Sequence, residues 1–195
     1  MQLQVGMGTR DWRLLSVGSH ATTIRQHESV NYWLCLFRPD TWNRFRKHGA
    51  RTIGFLERHE RRVRQIIPGD ILICYVVKSM SWCGAFEVTR PVFNDASPIF
   101  EDGIDPYRLR LMLSPLAVLS LDEGISVNEL WNDLSRTRNA DRNRQGWAYR
   151  ARLVTSPLPI DIADGKTLVA ALVARATSIP VLENMPSRMI CGSDA

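Results

Sequence analysis

Short apolar runs separated by charged segments dominate the middle of the chain, and they predict β-strands. Residues 32–37 (YWLCLF) and 71–77 (ILICYVV) contain no charged position, which is typical of strands buried on both faces of a sheet. Three further segments have strand patterns, at residues 51–56, 81–90 and 107–119. Several long strands with few helices predict a strongly bent sheet or a small barrel.

Helical patterns are fewer and mostly short. Residues 42–48 follow a Pro-Asp-Thr turn and end at a glycine, and residues 59–65 form a basic helical stretch. Ser126 opens a capping-box pattern that predicts a helix over residues 126–134, and Asp164 is the predicted cap of a final helix. The predicted fold class is α/β (α+β), with a strongly bent mixed sheet flanked by helices.

Three regions divide the chain. Residues 1–29 show no sustained period and are predicted to be an N-terminal leader of uncertain order, and residues 176–195 a C-terminal tail. Residues 31–172 are predicted to form one domain, with a last strand at residues 147–154. Because no stretch reaches the roughly 18 uncharged apolar residues that suggest a membrane span, we expect a soluble, cytoplasmic protein that makes no membrane contact.

The cysteines and histidines suggest neither a disulfide framework nor a metal site. The chain has four cysteines, no CxxC pair and no HExxH spacing. Cys35, Cys74 and Cys83 lie inside apolar, strand-like runs, which is typical of reduced, buried thiols. We therefore expect no metal and no cofactor.

Basic residues are concentrated in two segments. The chain carries a formal net charge of +5 with a pI near 9.3. Residues 38–64 hold nine Lys and Arg against three acidic residues, and residues 136–152 hold six Arg against Asp141. Since arginine grips phosphate bidentately as well as by charge, the two segments predict a phosphate-binding surface. The alternative is an ordinary solvated face with internal ion pairs.

A set of segments in a fixed order resembles a known family. YWLCLFRPDTW, GFLERHERRVRQIIPGDILICYVV, WCGAFEV, PYRLRLMLSPL and GWAYRARL follow one another as in the EVE domain, a PUA-like domain related to YTH domains. The patterns G-x-x-E-R and P-G-D-x-L-x-x-Y are the most specific, and the resemblance covers about residues 31–172. It implies a PUA-like pseudo-barrel without catalytic machinery.

The resemblance also implies a function and partners. Related domains bind DNA or RNA and hold one flipped, modified base, of the methylated cytosine or adenine type, in an aromatic pocket. Relatives are associated with restriction systems, so a partner subunit of a modification-dependent defence system is implied. Whether the partner is DNA or RNA stays open.

The resemblance places a base pocket on residues of four segments. Gly54 and Phe55 fall where YTH domains supply one cage tryptophan, and Phe100 falls where they supply another. Glycine at the first position is expected to leave open space and to let the backbone approach the base edge. The implied pocket residues are Phe37, Arg38, Asp40, Gly54, Phe55, Trp82 and Phe100.

Two of these residues have an alternative structural role. Asp40 could equally cap the helix that follows it. Strict alternation puts Trp82 on one face with Gly84, Phe86 and Val88, which predicts that it is a core residue. In YTH-like domains, however, this strand lies next to the base pocket, so Trp82 could instead form a wall of the pocket. The arginines expected to hold the nucleic-acid backbone are Arg58, Arg61, Arg62, Arg64, Arg138, Arg142 and Arg144.

Two other classes of function remain as alternatives. A small PUA-like hydrolase acting on a modified nucleobase or an amide would need a lysine or threonine beside an acid, and Lys78 and Thr52 are the candidates. A protein-interaction module of a restriction or toxin–antitoxin system would use the basic face on an acidic partner. We expect a binding module and not an enzyme, because no catalytic motif is present.

Overall fold

Eight strands form one strongly curled sheet among the residues that this computed structural model describes, 30–141 and 156–179. The strands are β1 (Tyr32–Phe37), β2 (Thr52–Phe55), β3 (Ile71–Val76), β4 (Ser81–Val88), β5 (Phe93–Asn94), β6 (Leu109–Val118), β7 (Ile125–Ser126) and β8 (Leu158–Ile160).

The sheet is mixed in strand direction. The sheet runs β2-β6-β4-β3-β1-β8, with β5 added on β6 and β7 added on β4. The pair β1 and β3 is parallel and the other pairs are antiparallel, so the sheet is mixed. The predicted fold class, a strongly bent mixed sheet flanked by helices, is confirmed. The predicted strand at 147–154 lies outside the described residues.

Helices cover both faces of the sheet. They are α1 (Pro39–Lys47), a 3-10 helix (Glu57–His59) that continues into α2 (Glu60–Val63), α3 (Ser135–Arg138) and α4 (Ile162–Ser178). Helix α1 begins three residues earlier than predicted, because Pro39 fits the first helical turn. The Thr41 hydroxyl supports this start by accepting from the Arg38 N–H and donating to the Arg38 C=O, both at 3.0 Å.

The cap of α4 differs from the predicted one. Asp161 is the N-cap, and its carboxylate accepts from the Ala163 N–H at 2.8 Å. Asp164, the predicted cap, is buried and instead accepts from the N–H and the hydroxyl of Ser135, at 2.8 and 2.9 Å. Helix α4 also continues to Ser178, into the predicted tail.

The helix predicted over residues 126–134 is wrong. The capping contact does form, since Glu129 accepts from the Ser126 N–H at 2.9 Å, but residues 127–133 make turns. The Val127 N–H donates to the Met80 C=O at 2.8 Å, which keeps the chain alongside β4. Trp131 is then buried against the sheet. Tertiary contacts therefore override a local helix signal.

Side chains of the central strands alternate between two cores. Leu72, Cys74 and Val76 of β3 enter one core, and Ile73 and Tyr75 enter the other. We call the first, which includes Phe37, Trp42, Phe45, Phe86 and Phe100, the aromatic core. We call the other, which includes Leu34, Trp82, Trp131, Leu168 and Leu172, the second core.

A β-bulge in β4 breaks the alternation that the sequence predicts. Cys74 lies opposite Gly84 and Tyr75 lies opposite Trp82, so Cys83 is an extra residue on β4. A bulge of this kind leaves one residue unpaired and shifts the facing of those that follow. The register therefore changes in the middle of the strand.

Trp82 consequently faces the second core, whereas Phe86 and Val88 face the aromatic core. Grouping these three residues on one face was wrong. Trp82 is fully buried, and its ring centroid lies 4.8 Å from that of Tyr75. It is a core residue.

Candidate nucleic-acid interface

A cavity of about 560 Å³ lies between β2 and the C-terminal half of β1. Within residues 30–141 and 156–179, β2 pairs with β6 alone, and β8 pairs only with residues 32–34 of β1. The curl of the sheet brings residues 53–55 of β2 and residues 35–37 of β1 to the same cavity, where the Leu36 N–H donates to the Ser156 hydroxyl at 3.1 Å. Side chains from α1, α2, the 3-10 helix and the 95–108 loop complete the lining.

The backbone N–H and C=O of Gly54 are directed to the edge of β2 that faces away from β6. The Leu113 N–H donates to the Arg51 C=O at 2.8 Å, and hydrogen-bonded pairs alternate along an antiparallel ladder. Ile53 and Phe55 therefore bond to β6, while the N–H and C=O of Gly54 point away from it. One donor and one acceptor are thus presented at the cavity wall that Gly54 lines.

In the part of the chain that the structure describes, five aromatic rings line the cavity, in two groups. Phe37, Phe55 and Phe100 are only 5%, 5% and 4% exposed, so they form an apolar floor that also belongs to the aromatic core. Tyr107 and His59 are half-buried and form walls. Among the described residues, these two wall rings offer more surface to a flat ligand than the floor does.

The 95–108 loop is held over the cavity by a fully buried carboxylate. Asp105 accepts from the N–H groups of Ile99, Phe100 and Tyr107, at 3.0, 2.8 and 2.9 Å. Burial alone would raise the pKa of Asp105, but these hydrogen bonds and one from Arg110 lower it below its ordinary value. Asp105 therefore fixes the backbone of two cavity-lining residues.

Arg110, also fully buried, is the partner of that carboxylate. Its Nη2 donates to Asp105 at 3.1 Å and to the Ser97 C=O at 2.8 Å. Its guanidinium carbon lies 5.2 Å from the centroid of the Phe100 ring. The pair thus ties β6 to the loop and to the cavity floor.

Gly54 is required by this arrangement. A Cβ at Gly54 would contact Nη1 of Arg110 and would lie 2.6 Å from the Tyr107 C=O. The expectation that Gly54 leaves open space for a bulky ring was wrong, because the loop already fills that space. Gly54 lines the cavity through its backbone instead.

The rim of the cavity is basic. Arg38, Arg58 and Arg62 line it, and no aspartate or glutamate does among the described residues. Nε of Arg58 donates to Nε2 of His59 at 3.3 Å. Arg58 and Arg62 are exposed, so their guanidinium groups can reach a ligand in solution.

The structure brings five of the seven implied pocket residues to this cavity, namely Phe37, Arg38, Gly54, Phe55 and Phe100. Trp82 is placed in the second core, as described above. Asp40 is exposed in the first turn of α1, where it pairs with Arg38 at 3.1 Å and is neither the cap nor part of the lining. Asp40 and Trp82 therefore do not line this cavity.

The predicted phosphate-binding arginines fall into three groups. Arg58 and Arg62 line the cavity. Arg61 and Arg138 are exposed away from the lining, and Arg64 pairs with Glu60 at 2.7 Å. The remaining two, Arg142 and Arg144, lie outside the described residues.

Two residues that line the cavity, Tyr107 and His59, were not predicted from the sequence to belong to a pocket. Tyr107 opens the β6 segment directly after Pro106, and an aromatic ring at such a loop–strand junction was the available signal. His59 begins the predicted basic helical stretch, and the histidines were considered only as possible metal ligands. Lys78 and Thr52, the candidates for a hydrolase, do not line the cavity, and the Thr52 hydroxyl donates to Sδ of Met112 at 3.5 Å.

The chain is similar in sequence to two archaeal proteins. No family model matches it. It is 26% identical over 125 residues to UPF0310 protein PH1033 of Pyrococcus horikoshii, covering 58% of this chain and 82% of that protein. It is 27% identical over 99 residues to UPF0310 protein PYRAB08750 of Pyrococcus abyssi, covering 46% and 68%.

A solved structure of the YTH domain-containing protein mmi1 with RNA has the same fold. The TM-score is 0.52 at 10% identity, covering 73% of this chain and 81% of that one. The chain thus has a YTH-like fold, which agrees with the fold that the resemblance implies. Membership of the EVE family stays a prediction.

Two further features concern only the described parts of the chain. No helix there is long and apolar enough to span a membrane. No group of three or more potential metal ligands occurs there. The predicted burial of Cys35, Cys74 and Cys83 is confirmed, and burial raises the pKa of each thiol.

Proposed function

We propose that this protein is a non-catalytic nucleic-acid-binding module that holds one base, extruded from its strand, in the cavity between β1 and β2. The observation that carries the proposal is the cavity itself. Three phenylalanines form its floor, three arginines stand at its rim and no carboxylate lines it among the described residues. An apolar slot with a cationic rim suits a flat base attached to an anionic backbone.

The size and the energetics of the cavity support the same proposal. A volume of about 560 Å³ lies within the range of about 300–1,000 Å³ that is usual for small-ligand sites. Extruding a base costs a few kcal/mol. Stacking returns about 1–3 kcal/mol per base. Hydrogen bonds to the base edge from the N–H and C=O of Gly54, which point away from β6, would stabilise the complex further.

The finer proposal is that the base is modified, of the methylated cytosine or adenine type. A methyl group gains free energy when it leaves water for an apolar surface, about 0.8 kcal/mol per buried carbon, and the phenylalanine floor provides such a surface. DNA and RNA are both candidate partners. A partner subunit in a modification-dependent defence system and a cytoplasmic location are parts of the proposal that the EVE resemblance and the buried thiols support.

The decisive experiment compares binding of oligonucleotides with and without base modification. Single strands of DNA and RNA that carry methylated cytosine, methylated adenine or neither should be titrated at several salt concentrations. We expect a salt-sensitive background for all strands and tighter binding of one modified strand. Equal binding of every strand would reject base reading, and no binding would reject the module as a whole.

The rim arginines should contribute to the salt-sensitive binding that all strands share. Replacing Arg58 and Arg62 together by alanine should weaken binding of all strands, because fewer counterions are released when fewer phosphates are neutralised. The slope of log affinity against log salt should fall by about 0.7 per lost phosphate contact for single strands. Fluorescence anisotropy over a salt series measures both quantities.

A matched control changes the same charge on the same segment. Arg61→Ala with Arg64→Ala removes two exposed arginines that do not line the cavity. We expect a smaller loss of affinity and a smaller change in slope. Equal effects of the two double variants would show that the arginines attract the strand by their overall charge and not through phosphate contacts at the cavity rim.

Tyr107 should supply a stacking surface. Its ring is half-buried and meets Phe100 edge-on, with centroids 5.4 Å apart. Tyr107→Ala should cost about 1–3 kcal/mol of binding to the preferred strand, while Tyr107→Phe keeps the ring and should bind nearly as well. Isothermal titration measures both, and equal binding by Tyr107→Ala and the parent would place the stack elsewhere.

A further inference from the structure

His59 occupies a distinctive position at the end of the 3-10 helix. Its half-buried imidazole lines the cavity between Arg58 and Arg62. Because Nε2 accepts a hydrogen bond from Nε of Arg58 at 3.3 Å, that nitrogen carries no proton in this arrangement. Burial and the charges of Arg58 and Arg62 lower the pKa of His59 below its ordinary value.

The surroundings of His59 contain several positive charges and no carboxylate among the described lining residues. Neither Glu57 nor Glu60 lines the cavity, and Glu60 pairs with Arg64 at 2.7 Å. The other ionisable groups that share the cavity are Arg38, Arg58, Arg62, Tyr107 and Cys35. The free site therefore disfavours a further positive charge.

We propose that His59 is a further phosphate-binding residue, which takes up a proton when a phosphodiester lies between it, Arg58 and Arg62, so that binding strengthens as pH falls. This inference rests on the proposed function, because it assigns a phosphate to the rim of the same cavity. A protonated Nε2 would donate to a phosphate oxygen, and Arg58 would turn its Nε from the imidazole to the same phosphate.

The coupling follows from linkage between protonation and binding. The phosphate charge offsets the two guanidinium charges, so the pKa of His59 is higher in the complex than in the free protein. Between these two values, binding takes up a proton and affinity increases with acidity. The gain is about tenfold for each unit by which the phosphate raises the pKa.

The experiment measures affinity against pH at fixed ionic strength. The probes are oligothymidine and oligouridine strands of about 12 nucleotides, whose bases do not titrate near neutrality. Between about pH 7.5 and about pH 5.5, the range in which a histidine charges, we expect a severalfold rise for the parent and no such rise for His59→Gln. His48→Gln changes an exposed histidine beyond the end of α1 and should keep the rise.

A second measurement follows the imidazole directly. Nuclear magnetic resonance should show the titration midpoint of His59 move upward when the strand is bound. The same pH dependence in His59→Gln and the parent, or a midpoint that does not rise, would overturn the role of His59 alone. Absence of binding by the parent at every pH would overturn the proposed function and, with it, this inference.

Discussion

Gly54→Trp should fail to fold, and Gly54→Ala should lower the free energy of unfolding by at least about 1–3 kcal/mol, the usual cost of overpacking. Gly54 lies directly opposite Arg110 in the β2–β6 ladder. A Cβ there would contact Nη1 of that arginine and would lie 2.6 and 2.8 Å from the C=O and the Cβ of Tyr107. Real Cβ contacts are never this short, so the strand and the loop would have to separate.

The neighbours of Gly54 have little room to yield. The guanidinium of Arg110 is fixed by Asp105 and by the Ser97 C=O, and Tyr107 is fixed by its N–H bond to Asp105. Chemical denaturation followed by tryptophan fluorescence measures the loss of stability.

A control separates crowding from loss of glycine flexibility. A Cβ at Gly103, in the 95–108 loop that packs on Gly54, would meet no atom within 4 Å. Because Gly103 has a positive φ of 82°, Gly103→Ala should cost only roughly 1 kcal/mol. A Gly54→Ala variant as stable as Gly103→Ala would contradict the packing described here. A folded Gly54→Trp variant would do so more strongly.

The sheet was predictable because its signal is local. The runs at 32–37 and 71–77 are apolar at every position or nearly so, and such runs are typical of strands with a core on each face. The structure confirms both strands, and β6 lies within the predicted 107–119. Strand β8 was missed, because Pro157 and Pro159 argue against a strand except at an edge, and β8 is an edge strand.

The face of the sheet on which each side chain lies was less predictable, because it depends on partners that are distant in sequence. A strict period of two cannot anticipate the bulge at Cys83, which is visible only in the pairing of β4 with β3. Arg110 is a similar case. Alternation with Leu109 and Leu111 would place it on a solvated face, but the 95–108 loop covers that face and buries it completely.

The part of the candidate site that could be predicted is the part that follows from the order of the family's segments along the chain. Co-linear resemblance identified five residues that line one cavity, although they come from three separate segments. It could not show that Phe37, Phe55 and Phe100 are nearly buried, because burial depends on the loop closing over them. The accessible rings, Tyr107 and His59, were consequently overlooked, and these two residues now carry the sharpest tests of binding.

Asp105→Asn should destabilise the fold by about 3–5 kcal/mol, the usual cost of breaking a buried ion pair by removing one partner. Asp105 and Arg110 are both 0% exposed, and their side chains are 3.1 Å apart. An asparagine side chain would leave the guanidinium without a counter-charge and would turn an NH₂ group toward N–H donors. The loop that carries Phe100 and Tyr107 should loosen, so affinity for the preferred strand should fall with stability.

Asp102→Asn is a matched control in the same loop. Asp102 also pairs with an arginine, Arg44, at 2.9 Å, but its side chain is 91% exposed. An exposed pair of this kind contributes little because water screens it, so the variant should unfold close to the parent. Equal losses in the two variants would contradict the central role of the buried pair.

The contribution of Asp105 to the stability of the fold should depend on pH. The pKa of Asp105 is lower in the folded protein than its ordinary value, so its ionised form stabilises the fold above that ordinary value. This stabilisation is lost as pH falls through the lowered pKa. The difference in unfolding free energy between the parent and Asp105→Asn should therefore be largest near neutral pH and should shrink in strong acid. A difference that is independent of pH would show that packing, rather than charge, holds the loop over the cavity.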